Sequence, residues 1–175
     1  MSKINWVYHE NYDIPLKLNH RFTSTKFSDL FYELKKTVLY RNAIITQPHK
    51  ANIIDLSISH SMDYINKIKN GLLNYKEERK LGLTWSKRLS ERSFLAVNGT
   101  LLASKLAISN GIGCHLGGGT HHSHYDYGSG FCVFNDLAYS ALKLIESKMV
   151  RKILIFDCDV HQGDGLSLIH ISEPT

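Results

Sequence analysis

Apolar positions along the chain change period several times, and each change predicts an element. "INWVYHE" has strand character, with Ile4, Trp6 and Tyr8 on one face at the two-residue period. "NYDIPLKLNHRF" keeps no period and reads as loop. Phe27, Leu30, Phe31, Leu34 and Val38 fall at helical spacing and predict a helix over 28–40. "NAIIT" is a short apolar run of strand type, closed by Pro48. Ser61 precedes a short helix that turns Tyr64, Ile65 and Ile68 inward, and Gly71 stands where a C-terminal cap belongs. "NYKEERKLGLTW" reads as a charged loop. Ser90 is placed to cap the longest helix, with Phe94, Val97, Leu101, Leu102 and Ala107 among its apolar positions and Gly111 just past its end.

The remaining pattern defines the fold class. "GIGCHL" predicts a short strand that runs into Gly117-Gly118-Gly119. Asn135 caps a helix with Leu137, Ala138, Ala141, Leu142 and Ile145 on one face. "KILIF" is a continuous apolar run with β-branched members, the pattern of a strand buried on both faces. Strand, helix and buried strand make a βαβ unit. An α/β fold with a mostly parallel central sheet and helices on its faces is therefore expected, three layers in all. No repeat, low-complexity segment or internal domain boundary interrupts it.

Composition narrows the function classes. The chain has 175 residues, 43% of them apolar, enough for one domain with a sizeable core. The net charge of +5 is scattered over Lys35-Lys36, Lys67-Lys69, Lys76 to Lys80, Lys87-Arg88 and Arg151-Lys152. No basic stripe carries interleaved aromatics, so direct nucleic-acid binding is not expected. Cys114, Cys132 and Cys158 form no CxxC and read as reduced thiols. The N-terminus has no signal pattern, and no stretch approaches the length of a membrane span. A soluble cytoplasmic protein without a membrane partner is the expectation.

Two segments carry candidate chemistry. Ligands gather at the carboxyl ends of strands in open parallel sheets. Asp157, Asp159 and His161 follow directly on "ILIF", and in an extended chain such alternate residues share a face. Two carboxylates together there are costly without a cation or a donor to compensate them. Carboxylate oxygen with imidazole nitrogen suits zinc, iron or a similar transition metal. The turn from Gln162 to Gly165 can return Asp164 to the same pocket. His121 and His122 follow the neighbouring strand, so both sets can meet above the sheet. Asp157 and Asp164 are available to orient the two imidazoles. A metal with its bound water and a histidine base is the apparatus of hydrolysis. His115 and His124 read as structural. No GxxxxGK follows the glycines, so they are not a phosphate loop.

"GGGTHHSHYDYGSGFCVFNDLAYS" followed by "ILIFDCDVHQGDG" resembles the histone deacetylase superfamily, which has the arginase-like α/β fold. "HQGDG", with "VYHENYDIPL" and "NHRF" near the start, is most similar to its class IV branch and bacterial relatives. The resemblance runs from about Trp6 to Gly165. It implies that Asp159 and His161 are two of three zinc ligands, with iron(II) as the other metal to consider. It implies that His121 and His122 are the active-site histidines, His122 being general base and acid. Asp157 would pair with the first histidine and help hold a monovalent cation such as K+; Asp164 would pair with the second. Gly130 and Phe131 would line an acyl-lysine tunnel. The implied reaction is zinc-assisted hydrolysis of an N-acetyl amide on a protein lysine or a polyamine. The chain departs from the pattern after Gly165. The family's third zinc ligand, an aspartate, and its oxyanion-stabilising tyrosine are not found, and "LSLIHISEPT" does not match the continuation. The expectation is therefore the N-terminal part of one deacetylase-like domain over 1–165 and a non-native tail over 166–175, with no role for His170 or Glu173. Such a fragment is expected to be inactive on its own, since a catalytic zinc takes three protein ligands. An arginase-like ureohydrolase and a non-catalytic acyl-lysine binding protein are the competing readings.

Overall fold

The computed structural model describes residues 3–17 and 19–172. Leu18 of the expected first loop and residues 173–175 of the expected tail lie outside the described residues. The sheet has three parallel strands, β1 (Ile4–Val7), β2 (Ala43–Thr46) and β3 (Gly113–His115), in the order β2-β1-β3. Ile4 stands opposite Ala43, and Asn5 opposite Gly113. Parallel neighbours require crossovers, and helices supply them, so the α/β class expected from the sequence is the one observed.

The helices follow the apolar pattern with instructive shifts. α1 (Lys26–Lys35) begins earlier than the periodicity suggests and stops sooner. The Thr37 hydroxyl donates to Leu34 O at 2.7 Å, and Val38–Asn42 continue as a 3-10 turn. Val38 is consequently 72% exposed although its spacing placed it inside. α2 (Ile53–Leu56) is a single turn. α3 (Met62–Asn70) has the Ser61 cap and the left-handed Gly71 the sequence predicts. The charged "loop" is a helix, α4 (Tyr75–Leu81). Asn74 Oδ1 accepts from the Lys76 and Glu77 amides, and Glu77 Oε2 accepts from the Asn74 amide at 2.7 Å, a reciprocal capping box. Leu81 alone anchors it in the core, so no apolar period reveals it.

α5 (Lys87–Asn110) is capped by Ser86, whose hydroxyl accepts from the Leu89 amide at 3.0 Å; Ser90 lies inside the helix. α5 packs against β1, β3, α3 and the last helix, α6 (Asp136–Glu146), and is the spine of the molecule. The main core gathers Tyr64, Ile65, Leu89, Val97, Phe134 and Tyr139. A second cluster places Tyr8, Tyr12, Phe27 and Phe31 against Leu95 and Ala96 of α5. Gly99 makes the contact with the sheet end possible. A Cβ there would lie 2.4 Å from His115 Nε2 and 2.6 Å from the Tyr12 hydroxyl.

One expectation is corrected. Residues 152–156 join no strand ladder among the described residues, and Leu154 and Phe156 are 88% and 84% exposed. The run lies over α6 instead, with Ile153 and Ile155 facing Ala141 and Ile145 across a pocket. A buried strand requires a hydrogen-bonded neighbour on each side. An apolar run by itself cannot supply that. Asp164–Ser172 then wind as 3-10 turns that pack on α6, with Leu168 buried.

Candidate active site

The loop between β3 and α6 is held from behind by the buried Asp136 and His60, which the sequence pattern did not single out, and by the half-buried His115, which it read as structural. Asp136, in the first turn of α6, is 1% exposed. Its carboxylate accepts from the Gly119 amide at 2.9 Å, the Thr120 amide at 2.7 Å and the Thr120 hydroxyl at 2.5 Å, and from the Thr100 hydroxyl. An acid just after the Asn135 cap was the available signal. His60, fully buried, joins α3's approach to the loop. One ring nitrogen faces His124 O at 2.8 Å, and the other accepts from the Asn135 amide at 2.9 Å. His60 is therefore neutral with its proton on Nδ1, and burial pushes its pKa down to about 4. His115 joins the Tyr12 hydroxyl to the Thr100 hydroxyl, 2.7 Å on each side. Burial lowers its pKa to about 4 as well.

On this frame the two histidines diverge, each to its own carboxylate. His121 Nδ1 lies 2.7 Å from Asp157 Oδ2, and His122 Nδ1 lies 2.8 Å from Asp164 Oδ1. The rings are 4.1 Å apart at 55°. His121 is 5% exposed and His122 less buried, and both line the pocket. Asp164 also takes His124 Nε2 at 3.1 Å on its other oxygen, a contact the structural reading of His124 did not anticipate. Desolvation acts to raise Asp164, but the hydrogen bonds from His122 and His124 outweigh it and hold the carboxyl at about 2. The hydrogen bond with His121, then that from the Asp159 amide, lowers Asp157. Gly165 docks this segment onto the histidine loop by donating its amide to His121 O at 2.9 Å. A Cβ at Gly165 would stand 2.3 Å from Ser123 O and 2.6 Å from His121 O, so only glycine permits the approach.

Asp159 and His161 are brought together. Asp159 Oδ1 accepts from the His161 amide at 2.8 Å and lies 2.9 Å from His161 Nδ1. Two donor atoms that close suit adjacent corners of a coordination sphere with bonds of about 2.0–2.2 Å. Among the described residues no group of three or more His, Cys, Asp or Glu side chains could hold a metal. The pair therefore fits part of a zinc site and not the whole of one.

Gly130 and Phe131 both have positive φ, 53° and 67°. For Phe131 this is strained, and its amide is tied to Leu81 O at 2.8 Å. Its ring stands 5.6 Å from Phe22 and 5.7 Å from His20. Phe131, the histidine pair, Asp159 and His161 all line one pocket of about 320 Å³.

A parallel α/β sheet carries two histidine–aspartate pairs, with Asp159 and His161 beside them, over one pocket. Residues 20–175 match the histone deacetylase domain, and the chain belongs to that family. It is 38% identical to an uncharacterized protein of Picosynechococcus over 97% of this chain and 56% of the relative. It is 29% identical to histone deacetylase 2 of Arabidopsis thaliana over 94% of this chain and 45% of that protein. The crystal structure of the HDA15 HD domain has the same fold, with a TM-score of 0.78 at 17% identity, over 96% of this chain and 49% of that one. The chain spans about half the length of these curated relatives. No described helix is long and apolar enough to cross a membrane.

Proposed function

We propose that this chain supplies the histidine-bearing half of a zinc-dependent deacetylase acting on acylated lysine side chains or related amines. The observation that carries the reading is the pair of histidine–aspartate contacts, 2.7 and 2.8 Å, beside Asp159 and His161 in one pocket. Asp159 and His161 would hold zinc, with a third ligand that the described residues do not supply; bound there, zinc polarises the amide carbonyl and acidifies water.

The chain's own residues have distinct tasks. His122 has its Nδ1 occupied by Asp164, which leaves Nε2 as the atom that takes a proton from water and returns it to the leaving amine. Asp164 stabilises the imidazolium formed on the way. His121, more deeply buried, is held in orientation by Asp157 beside the second imidazole. Asp157 would also help hold a monovalent cation such as K+. Phe131 walls the entry, and the Gly130 carbonyl faces the amide N–H of an acyl-lysine. The substrates are acetylated protein lysine or an acetylated polyamine, in a cytoplasmic setting.

In a chain extended to the length of its relatives, His122→Ala is expected to lower turnover of an acetyl-lysine peptide by roughly a hundredfold or more, with zinc still bound. Near-wild-type turnover would remove His122 from the chemistry. Tight binding of the peptide without any turnover would make the protein an acyl-lysine binder instead.

A further inference from the structure

Asp164 serves two imidazoles, one on each oxygen. His122 Nδ1 lies 2.8 Å from Oδ1, and His124 Nε2 lies 3.1 Å from Oδ2. Ser123, between the two histidines, is buried and donates its hydroxyl to Val133 O at 2.7 Å, so the histidines reach one carboxylate while the residue between them turns into the core. The three partners are not equally fixed. The Asp164 side chain is 47% exposed, against 20% for His122 and 22% for His124. It follows the segment that joins no strand ladder among the described residues. His124 is anchored independently of it. Its ring stacks on Tyr127, with 4.5 Å between centroids at 22°, and the Lys80 ammonium lies 3.1 Å from the Tyr127 centroid. Its amide donates to Tyr127 O at 2.9 Å, and its carbonyl accepts from His60 Nδ1 at 2.8 Å. A carboxylate held by one donor can turn about its Cβ–Cγ bond. A second donor on the other oxygen fixes its plane.

We propose that His124 is a positioning residue for the reaction in this pocket: it clamps the second oxygen of Asp164 and so fixes the His122 imidazole with its proton on Nδ1 and its Nε2 free to act as base. This rests on the hydrolase reading of the same site. An ionised carboxylate only accepts hydrogen bonds, so each imidazole must present an N–H to it. His122 is thereby committed to one tautomer, and His124 to a proton on Nε2. The hydrogen bonds from both histidines also keep Asp164 ionised, which leaves it an anion beside His122 when that ring takes up a proton. The pocket is lined by His121, His122, Asp159 and His161 and not by His124, which acts on the reaction through Asp164.

The test uses the chain extended to the length of its relatives, loaded with zinc, and an acetyl-lysine peptide. His124→Phe keeps a ring to stack on Tyr127 and removes the N–H. It is expected to lower kcat about tenfold and to leave KM within about twofold. His124→Gln, which restores a side-chain N–H, should recover most of the loss. In an Asp164→Ala background, His124→Phe should cost no further kcat, since the two residues act as a unit. An unchanged kcat in His124→Phe, a loss in KM alone, equal losses in the Phe and Gln variants, or full additivity with Asp164→Ala overturns the proposal. The parent chain gives a check that needs no substitution. Its 15N-histidine NMR spectrum should show His122 protonated on Nδ1 and His124 protonated on Nε2. A His124 Nε2 without a proton overturns the clamp even where no variant folds. Absence of turnover by the parent overturns the hydrolase reading instead, and the two tautomers still decide the clamp.

Discussion

His60 shows how much a single buried residue does for this site. It touches neither histidine ring, yet it holds the loop on both sides of them through His124 O and the Asn135 amide. Its folded pKa, about 4, lies below the ordinary 6.5. As pH falls, the unfolded chain takes up the proton first, so the stabilisation is whole above about 6.5 and is lost toward pH 4. His115 acts with the same sign. The lowered carboxylates contribute lower down. Their stabilisation is present above the ordinary value of 3.8 and for Asp164 disappears as pH falls through about 2. Urea unfolding is expected to show a clear loss of stability from about pH 7.5 to about pH 5. His60→Phe leaves the buried Asn135 amide without an acceptor and should cost about 1–3 kcal/mol at neutral pH. It should also flatten that pH dependence, whereas His60→Gln, which keeps a donor and an acceptor, should recover part of the neutral stability. An unchanged pH slope in His60→Phe would show that His60 is not the titrating group.

At the scale of elements, caps rather than apolar period decide the boundaries. Ser86→Ala removes the side-chain acceptor of the Leu89 amide and is expected to cost about 1 kcal/mol. Ser90→Ala, one turn inside α5, should cost less, since the Ser90 hydroxyl caps nothing. The reverse order in thermal unfolding would restore the cap to Ser90. Asn74→Ala should likewise loosen α4 by about 1 kcal/mol, because the capping box is the strongest local reason for that helix to form. Gly99→Ala sets a larger penalty against a better helix former. The added Cβ must displace His115 or Tyr12, and overpacking of this kind typically costs about 1–3 kcal/mol. Both residues hold the base of the histidine loop, so the same variant should weaken ligand binding in the pocket.

For the whole molecule, the exposed face around residues 153–160 dominates behaviour in solution. Leu154, Phe156 and Val160 are 88%, 84% and 92% exposed on a segment that joins no strand ladder among the described residues. An exposed apolar run outside any ladder is a template for association. The 175-residue chain is expected to aggregate at micromolar concentration. Leu154→Lys with Phe156→Lys should shift it toward a monodisperse monomer in light scattering. A monodisperse parent chain would refute this. The metal site gives a second whole-molecule outcome. With two donors in place of three, the isolated chain is expected to hold zinc far more weakly than the extended one and to show no zinc-dependent release of acetate.

Local chemistry in the sequence was enough to name the residues that the structure gathers around one pocket. Gly117-Gly118-Gly119, the adjacent histidines and the alternation of Asp157, Asp159 and His161 are short-range patterns, and a strand-to-loop transition written within a few residues can be read there. The pairing of His121 with Asp157 and of His122 with Asp164 was what the family resemblance implied, and the contacts form in the structure although residues 152–156 join no strand ladder among the described residues. What the sequence could not contain was anything decided by neighbours distant along the chain. Asp136, His60 and Arg92 have ordinary polar codes, and only packing buries them. The helix at Tyr75–Leu81 depends on one core contact, through Leu81. The apolar run at 152–156 is a strand or an exposed ribbon according to what lies beside it. Periodicity reports which face of a segment avoids water; hydrogen-bond partners across the fold are a property of the tertiary structure alone.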